Sequence, residues 1–188
     1  MQQLWKALTM ADVTPAKVHL MRCSFAGLAL AVVFFRLLPL ETNPRSWAPP
    51  DLILVLALAW SVRRPDYVPA LLLAGTFVIM DFLFHRPPGL MALLVLIGCE
   101  FLKTRAQPHR EATFLAEWLA AAVVIAAIVL ANRFVLFVLA VEQAPFGLSI
   151  IEMLATVMAY PLAALFSQNL LGVRKLSPAE ADALGARA

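Results

Sequence analysis

Six charged side chains fall within or at the edge of the apolar stretches of this chain: Asp81, Glu100, Glu117, Glu152, Arg36 and Arg133. A charge at the centre of a bilayer costs roughly 3 kcal/mol or more, so such residues face a bundle interior or reach the interface. Depth along the segments sorts them. Asp81, Glu152, Arg36 and Arg133 fall toward one side, and Glu100 and Glu117 toward the other. Asp81 and His85 stand four apart, on one helical face, and Glu100 and Lys103 stand three apart. Asp81, His85, Arg133 and Glu152 therefore form a candidate polar cluster, with Arg133 as the expected partner of Asp81. It would suit a lipid headgroup, a small solute or a partner protein. The alternative is that each charge lies within a turn or two of a helix end and snorkels to water.

No other chemistry is legible. His19, His85 and His109 lie in separate regions, and no His/Cys/Asp cluster has metal-ligand spacing. No Gly-rich phosphate loop, nucleophile elbow, His-Glu-x-x-His or paired-aspartate signature occurs. Cys23 and Cys99 read as reduced, buried, small residues. The expectation is a protein without enzymatic activity, metal or cofactor. A net charge of +3 without a basic, aromatic-interleaved face gives no sign of nucleic-acid binding.

The elements that must position these charges are apolar helices. Hydrophobic residues make up 62% of the 188 and charged residues 14%, against about 25% charged in soluble domains. A chain of this size has too little interior to hide so much Leu, Val, Ala and Phe from water. A spanning helix needs roughly 20 apolar residues. Six segments are predicted: His19–Leu38, Trp47–Val62, Tyr67–Phe84, Gly89–Leu102, Ala112–Ala131 and Leu148–Leu171. The second is short. The fifth has an apolar extension, Phe134–Val141, which predicts tilting, a kink near Asn132 or an interfacial end. The fold expected is all-α, a polytopic bundle of about six transmembrane helices.

Lys and Arg orient it. With six spans, eleven of these residues fall on the side of both termini and four on the other, which places the termini in the cytoplasm. Three regions follow: a cytoplasmic, interfacial or frayed segment over residues 1–18, a transmembrane domain over 19–173 and a cytoplasmic tail over 174–188. The first span lacks the cleavage site of a signal peptide. Ser177-Pro178-Ala179-Glu180 has the spacing of a capping box for a short helix.

Helix contacts leave two small-residue stripes, Ala70, Ala74 and Gly75 in the third span and Ala155, Ala159 and Ala163 in the last. Such faces permit close helix approach, by this chain or a partner, and also arise by chance in an Ala-rich chain. Pro161 should bend the last span or open a backbone carbonyl.

The run from Trp47 through Pro50, Asp51 and the apolar stretch to Trp60, then Arg63-Arg64-Pro65, resembles the second segment of MreD, the bacterial rod-shape-determining membrane protein. The helix leading to Asp81, followed eight residues on by Gly89, is similar to that family's next segment. Members often carry Gly four before and four after this Asp, where this chain has Phe77 and His85. The tail beyond Lys175 is longer than usual. The resemblance covers Trp47–Lys103, and the remainder only by hydropathy.

The resemblance implies a non-enzymatic subunit of the elongation machinery that builds lateral peptidoglycan in the bacterial inner membrane. Its partner would be MreC, a single-span scaffold, and through it MreB, RodA and a class B penicillin-binding protein. It also implies an architecture similar to the substrate-binding subunits of energy-coupling-factor vitamin transporters, without transferring a ligand. The alternative is a small-solute carrier or the membrane-embedded binding subunit of one.

Overall fold

The computed structural model describes residues 15–38, 48–105 and 113–173. Among them the chain is all-helical, without strands: α1 (Pro15–Leu37), α2 (Leu52–Arg63), a 3-10 turn (Pro65–Tyr67), α3 (Ala70–Leu83), α4 (Leu90–Arg105), α5 (Phe114–Val138) and α6 (Phe146–Leu170). Each predicted segment corresponds to one helix. The possible interfacial helix before Thr14, Trp47 and the Ser177 capping box lie outside the described residues.

The lengths divide the helices into two sets. α1, α5 and α6, of 23, 25 and 25 residues, are long and apolar enough to cross a membrane. α2, α3 and α4 have 12, 14 and 16 residues, or roughly 18 to 24 Å at 1.5 Å per residue. α2 and α3 are shorter than their apolar runs because turn chemistry trims them, whereas α4 runs past Leu102 to Arg105. Pro69 holds extended backbone immediately before α3, and Tyr67 belongs to the 3-10 turn. Conversely, α5 runs unbroken through Asn132 and Arg133. Neither residue is a helix breaker, so the extension joins the same helix as far as Val138.

α2 is the axis of the bundle. Ten of its twelve residues are buried, and it packs against α1, α4, α5 and α6. α4 also packs against α3 and α5, and α5 against α6. α4 and α5 approach closely at Gly98, where a Cβ would lie 2.8 Å from Val124 Cγ1. α1 lies at the margin, against α2, α3 and the 3-10 turn.

The core is apolar, but the outer surface is apolar too, unlike that of a water-soluble domain. Asp51, Ser61, Arg63, Arg64, Asp81, Glu117, Thr156 and Ser167 are buried, while Leu71 (86% exposed), Phe137 (77%) and Leu162 (70%) face outward. Exposed apolar surface on this scale belongs against lipid, where backbone bonds are satisfied within helices. The long helices and this surface make the chain a helical membrane protein.

Side-chain bonds give the helix directions. Asp51 N–H donates to Thr156 Oγ1 (2.9 Å), and Trp60 Nε1–H to Ser167 Oγ (2.9 Å), so α2 and α6 run parallel. Arg22 near the start of α1 donates to Asp66 O just before α3 (3.0 Å), and Lys103 near the end of α4 donates to Val68 O (2.9 Å). Arg63 at the end of α2 meets Glu117 at the start of α5. Consecutive helices therefore alternate in direction, with one end of the bundle near Asp51 and the other near Arg63.

Candidate functional site

The Arg63 end holds a buried ion pair. Arg63 Nε donates to Glu117 Oε1 at 2.9 Å, with the side chains 6% and 1% exposed. Tyr160 Oη–H donates to the same oxygen at 2.9 Å, and Arg63 Nη1 donates to Ala164 O at 3.1 Å. α2, α5 and α6 are thereby joined through one carboxylate. The segment predicted over Trp47–Val62 stops short of Arg63, and the snorkelling alternative sends Glu117 to water. Instead α2 continues through Arg63, which turns inward. Glu117 and Tyr160 have no sequence proximity, so no spacing could have paired them.

Beside it, Trp118 Nε1–H donates to Val157 O at 3.0 Å. Pro161 lacks the N–H that would have taken this carbonyl in α6. The opened carbonyl expected from Pro161 is thus present and is taken by a tryptophan of α5. Trp60 packs against Phe25 and Tyr67, with ring centroids 5.5 and 6.3 Å away. Glu100 and Lys103 form the expected local pair at 2.8 Å.

The Asp51 end holds a cavity of about 140 Å³ with a mixed lining, where Asp51, Arg86, Asn132, Arg133, Ser149, Glu152 and Thr156 stand beside apolar residues such as Leu54, Met91 and Val129. α2 contributes its first turn, because Asp51 Oδ1 accepts Leu54 N–H at 3.2 Å and caps the helix. α5 contributes Arg133, which donates to Ala144 O (3.2 and 3.3 Å) and to Ser149 Oγ and lies 5.2 Å over the Phe146 ring. α6 contributes Glu152 and Thr156, whose hydroxyl donates to Glu152 O at 2.6 Å. Arg36 closes this end from α1 by donating to Pro50 O at 2.7 Å.

The predicted cluster is thus half assembled. Arg133 and Glu152 share the cavity, whereas Asp81 and His85 do not line it. The expected Asp81–Arg133 pair is not formed. Asp81 Oδ2 accepts Gly89 N–H at 2.9 Å and Ala92 N–H at 3.4 Å, so it caps α4 across the turn. Those amides are closer at hand than a guanidinium on α5, and a helix N-terminus suits a carboxylate. His85 is exposed in the same turn. Arg86 and Asn132, which sequence reading passed over, complete the cavity. Arg86 precedes the two prolines of the turn, and Asn132 was read only as a possible kink.

The two small-residue stripes differ. Ala70 and Gly75 are exposed, and Ala74 is half-buried. A Cβ at Gly75 would meet nothing within 4 Å. Gly75 lines an open apolar groove of about 490 Å³ between α1 and α3, together with Ala26, Ala29, Val33 and Thr76. On α6, Ala159 is buried inside the bundle, and Ala155 and Ala163 are half-buried. That stripe is therefore spent at least partly on the chain's own packing. Cys99 is buried as expected, whereas Cys23 is exposed, because α1 is covered on one side only.

No protein-family model, curated protein or solved structure matches the chain.

Proposed function

We propose that the chain is a membrane scaffold of the MreD type, working without chemistry of its own in the bacterial elongation complex and holding an MreC-like single-span partner through the bilayer. The observation that carries this reading is the groove between α1 and α3. It is apolar, open along the helices and floored by Gly75, whose missing side chain leaves its backbone uncovered. In lipid, association rests on close packing, and small residues permit it.

The residues of the resemblance support the same reading through their roles. Asp51 caps α2, Trp60 ties α2 to α6, and Asp81 with Gly89 starts α4. These are architectural contacts, of the kind a shared bundle would need.

The finer architecture belongs to this proposal. All six helices would cross, with both termini cytoplasmic, in an arrangement similar to the energy-coupling-factor binding subunits. Alternating helix directions and the eleven-to-four Lys/Arg division support it. The short α2 need not match the bilayer, since protein rather than lipid surrounds it. Reporter fusions after Lys17, Arg64, Gln107 and Arg174 should all read cytoplasm, and a periplasmic reading at Arg64 would remove α2 from the spans.

A small-solute carrier is the second reading, favoured by the charged residues that line the cavity at the Asp51 end. Its volume of about 140 Å³ falls below the roughly 300 Å³ where metabolite pockets begin. Coexpression decides between them. A scaffold copurifies with a single-span coiled-coil partner and gains no stability from metabolites. A carrier is stabilised by a soluble metabolite and needs no partner.

A further inference from the structure

We infer that the cavity at the Asp51 end binds a vicinal diol, the group presented by the glycerol headgroup of phosphatidylglycerol and by small free polyols. A hydroxyl hydrogen meets Asp51 Oδ2, and the hydroxyl oxygens meet N–H groups of Asn132 and Arg133. This goes beyond the scaffold reading and does not depend on it.

Unused hydrogen-bonding capacity around one space is the first argument. Asp51 is only 5% exposed. Its Oδ1 takes Leu54 N–H, and its Oδ2 accepts no hydrogen bond among the described residues. A buried carboxylate oxygen left so is costly unless a donor enters the cavity that the residue lines. Unspent donors line the same cavity. Arg133 uses Nη1 and Nη2 on Ala144 O and Ser149 Oγ, and its Nε–H donates to nothing among the described residues. The Asn132 amide makes no hydrogen bond among them.

Charge selects the class of ligand. The lining holds two acids, Asp51 and Glu152, and two bases, Arg86 and Arg133. Glu152 has an interaction of its own, and Arg86 stands over the Phe84 ring as an electrostatic neighbour of Asp81. Both enter only through their charge. A bare anion would meet the carboxylates and a bare cation the guanidiniums, so a neutral polar group suffers least. A hydroxyl donates one hydrogen and accepts two. It can serve Asp51 Oδ2 and an N–H group together, and a second hydroxyl on the next carbon serves the remaining donor.

Size and position complete the case. About 140 Å³ is the share of roughly five waters, room for a three-carbon diol and too little for a sugar ring. Asp51 is buried, whereas Asn132 and Arg133 are half-buried, so the space opens on their side. Exposed Phe134 and Phe137 continue along α5 from Arg133 and give acyl chains an apolar surface beside that opening.

The test is thermal unfolding of the full chain in a neutral detergent, titrated separately with dihexanoyl phosphatidylglycerol, dihexanoyl phosphatidic acid, glycerol and 1,3-propanediol. The phosphatidylglycerol should raise the midpoint saturably, and the phosphatidic acid, which lacks the diol, should not. Asp51→Asn keeps the helix cap but puts an amide in place of a carboxylate acceptor, and should weaken the effect roughly tenfold or more. Asn132→Leu should weaken it too, and keeps the test valid if Asp51→Asn does not fold, because the Asn132 amide bonds to nothing among the described residues. A saturable rise with glycerol that 1,3-propanediol does not give would also support the site and make a free polyol its source. Equal effects of the phosphatidic acid and the phosphatidylglycerol would overturn the diol. So would the lack of a saturable rise with either diol, or unchanged affinity in both variants.

Discussion

The carboxylate of Asp81, near the end of α3, accepts the N–H of Gly89, the residue that opens α4, at 2.9 Å. The same oxygen reaches Ala92 N–H at 3.4 Å. One acid thus joins two successive helices by capping the second. Gly89 makes this possible because its φ of 84° is readily adopted only by glycine.

Asp81→Ala should therefore destabilise the chain by about 1 to 3 kcal/mol, the worth of a charged cap with poor access to water. Asp81→Asn, which keeps an acceptor, should cost less. Gly89→Ala should be damaging in its own right through strain. Unfolding in detergent at matched lipid content measures all three, and an unchanged Asp81→Ala midpoint would refute the cap.

The Arg63–Glu117 pair makes a different forecast. Removing one partner leaves a buried charge, at a cost of about 3 to 5 kcal/mol. Arg63→Met and Glu117→Leu should each lower stability strongly, and the double variant should lose much less than their sum. Additive losses would mean that the two charges do not stabilise each other.

His85 adopts φ 53°, a left-handed conformation in which a side chain is strained. The turn closes by Arg86 N–H donating to Asp81 O at 2.9 Å. His85→Gly should raise stability by roughly 1 kcal/mol. The position is the one where the MreD pattern often has glycine. A fall in stability would show that the imidazole makes a contact worth more than the strain.

Trp118 and Pro161 should be coupled. Trp118→Phe strands Val157 O and should cost about 1 kcal/mol. In a Pro161→Ala background the residue at 161 supplies its own N–H to that carbonyl, so the same change should cost less. Equal losses in both backgrounds would remove the tryptophan from this role.

Sequence reading locates the helices because hydropathy is a local property. Each apolar run corresponds to a helix, and even the opened carbonyl at Pro161 follows from one residue's chemistry. Partner choice was not local. Depth alone pairs Asp81 with Arg133, while the nearer amides of Gly89 and Ala92 win because a turn folds them back. The predicted second segment ends at Val62, although the Arg63 guanidinium reaches inward to Glu117, 54 positions away. The cavity was half legible. Arg133 and Glu152 stand out as charges in apolar segments, whereas Arg86 beside prolines and Asn132 within a helix carry no such mark.

The groove between α1 and α3 is where a partner's membrane helix should lie. A photoreactive phenylalanine placed at Gly75, in full-length chain coexpressed with a single-span coiled-coil partner, should cross-link to that partner's membrane helix. The same probe at Val123, exposed on α5 and outside the groove, should not. Gly75→Leu should reduce copurification of the partner while leaving the chain inserted. Cross-links from Val123 but none from Gly75, with copurification untouched by Gly75→Leu, would mean that the groove holds no partner helix.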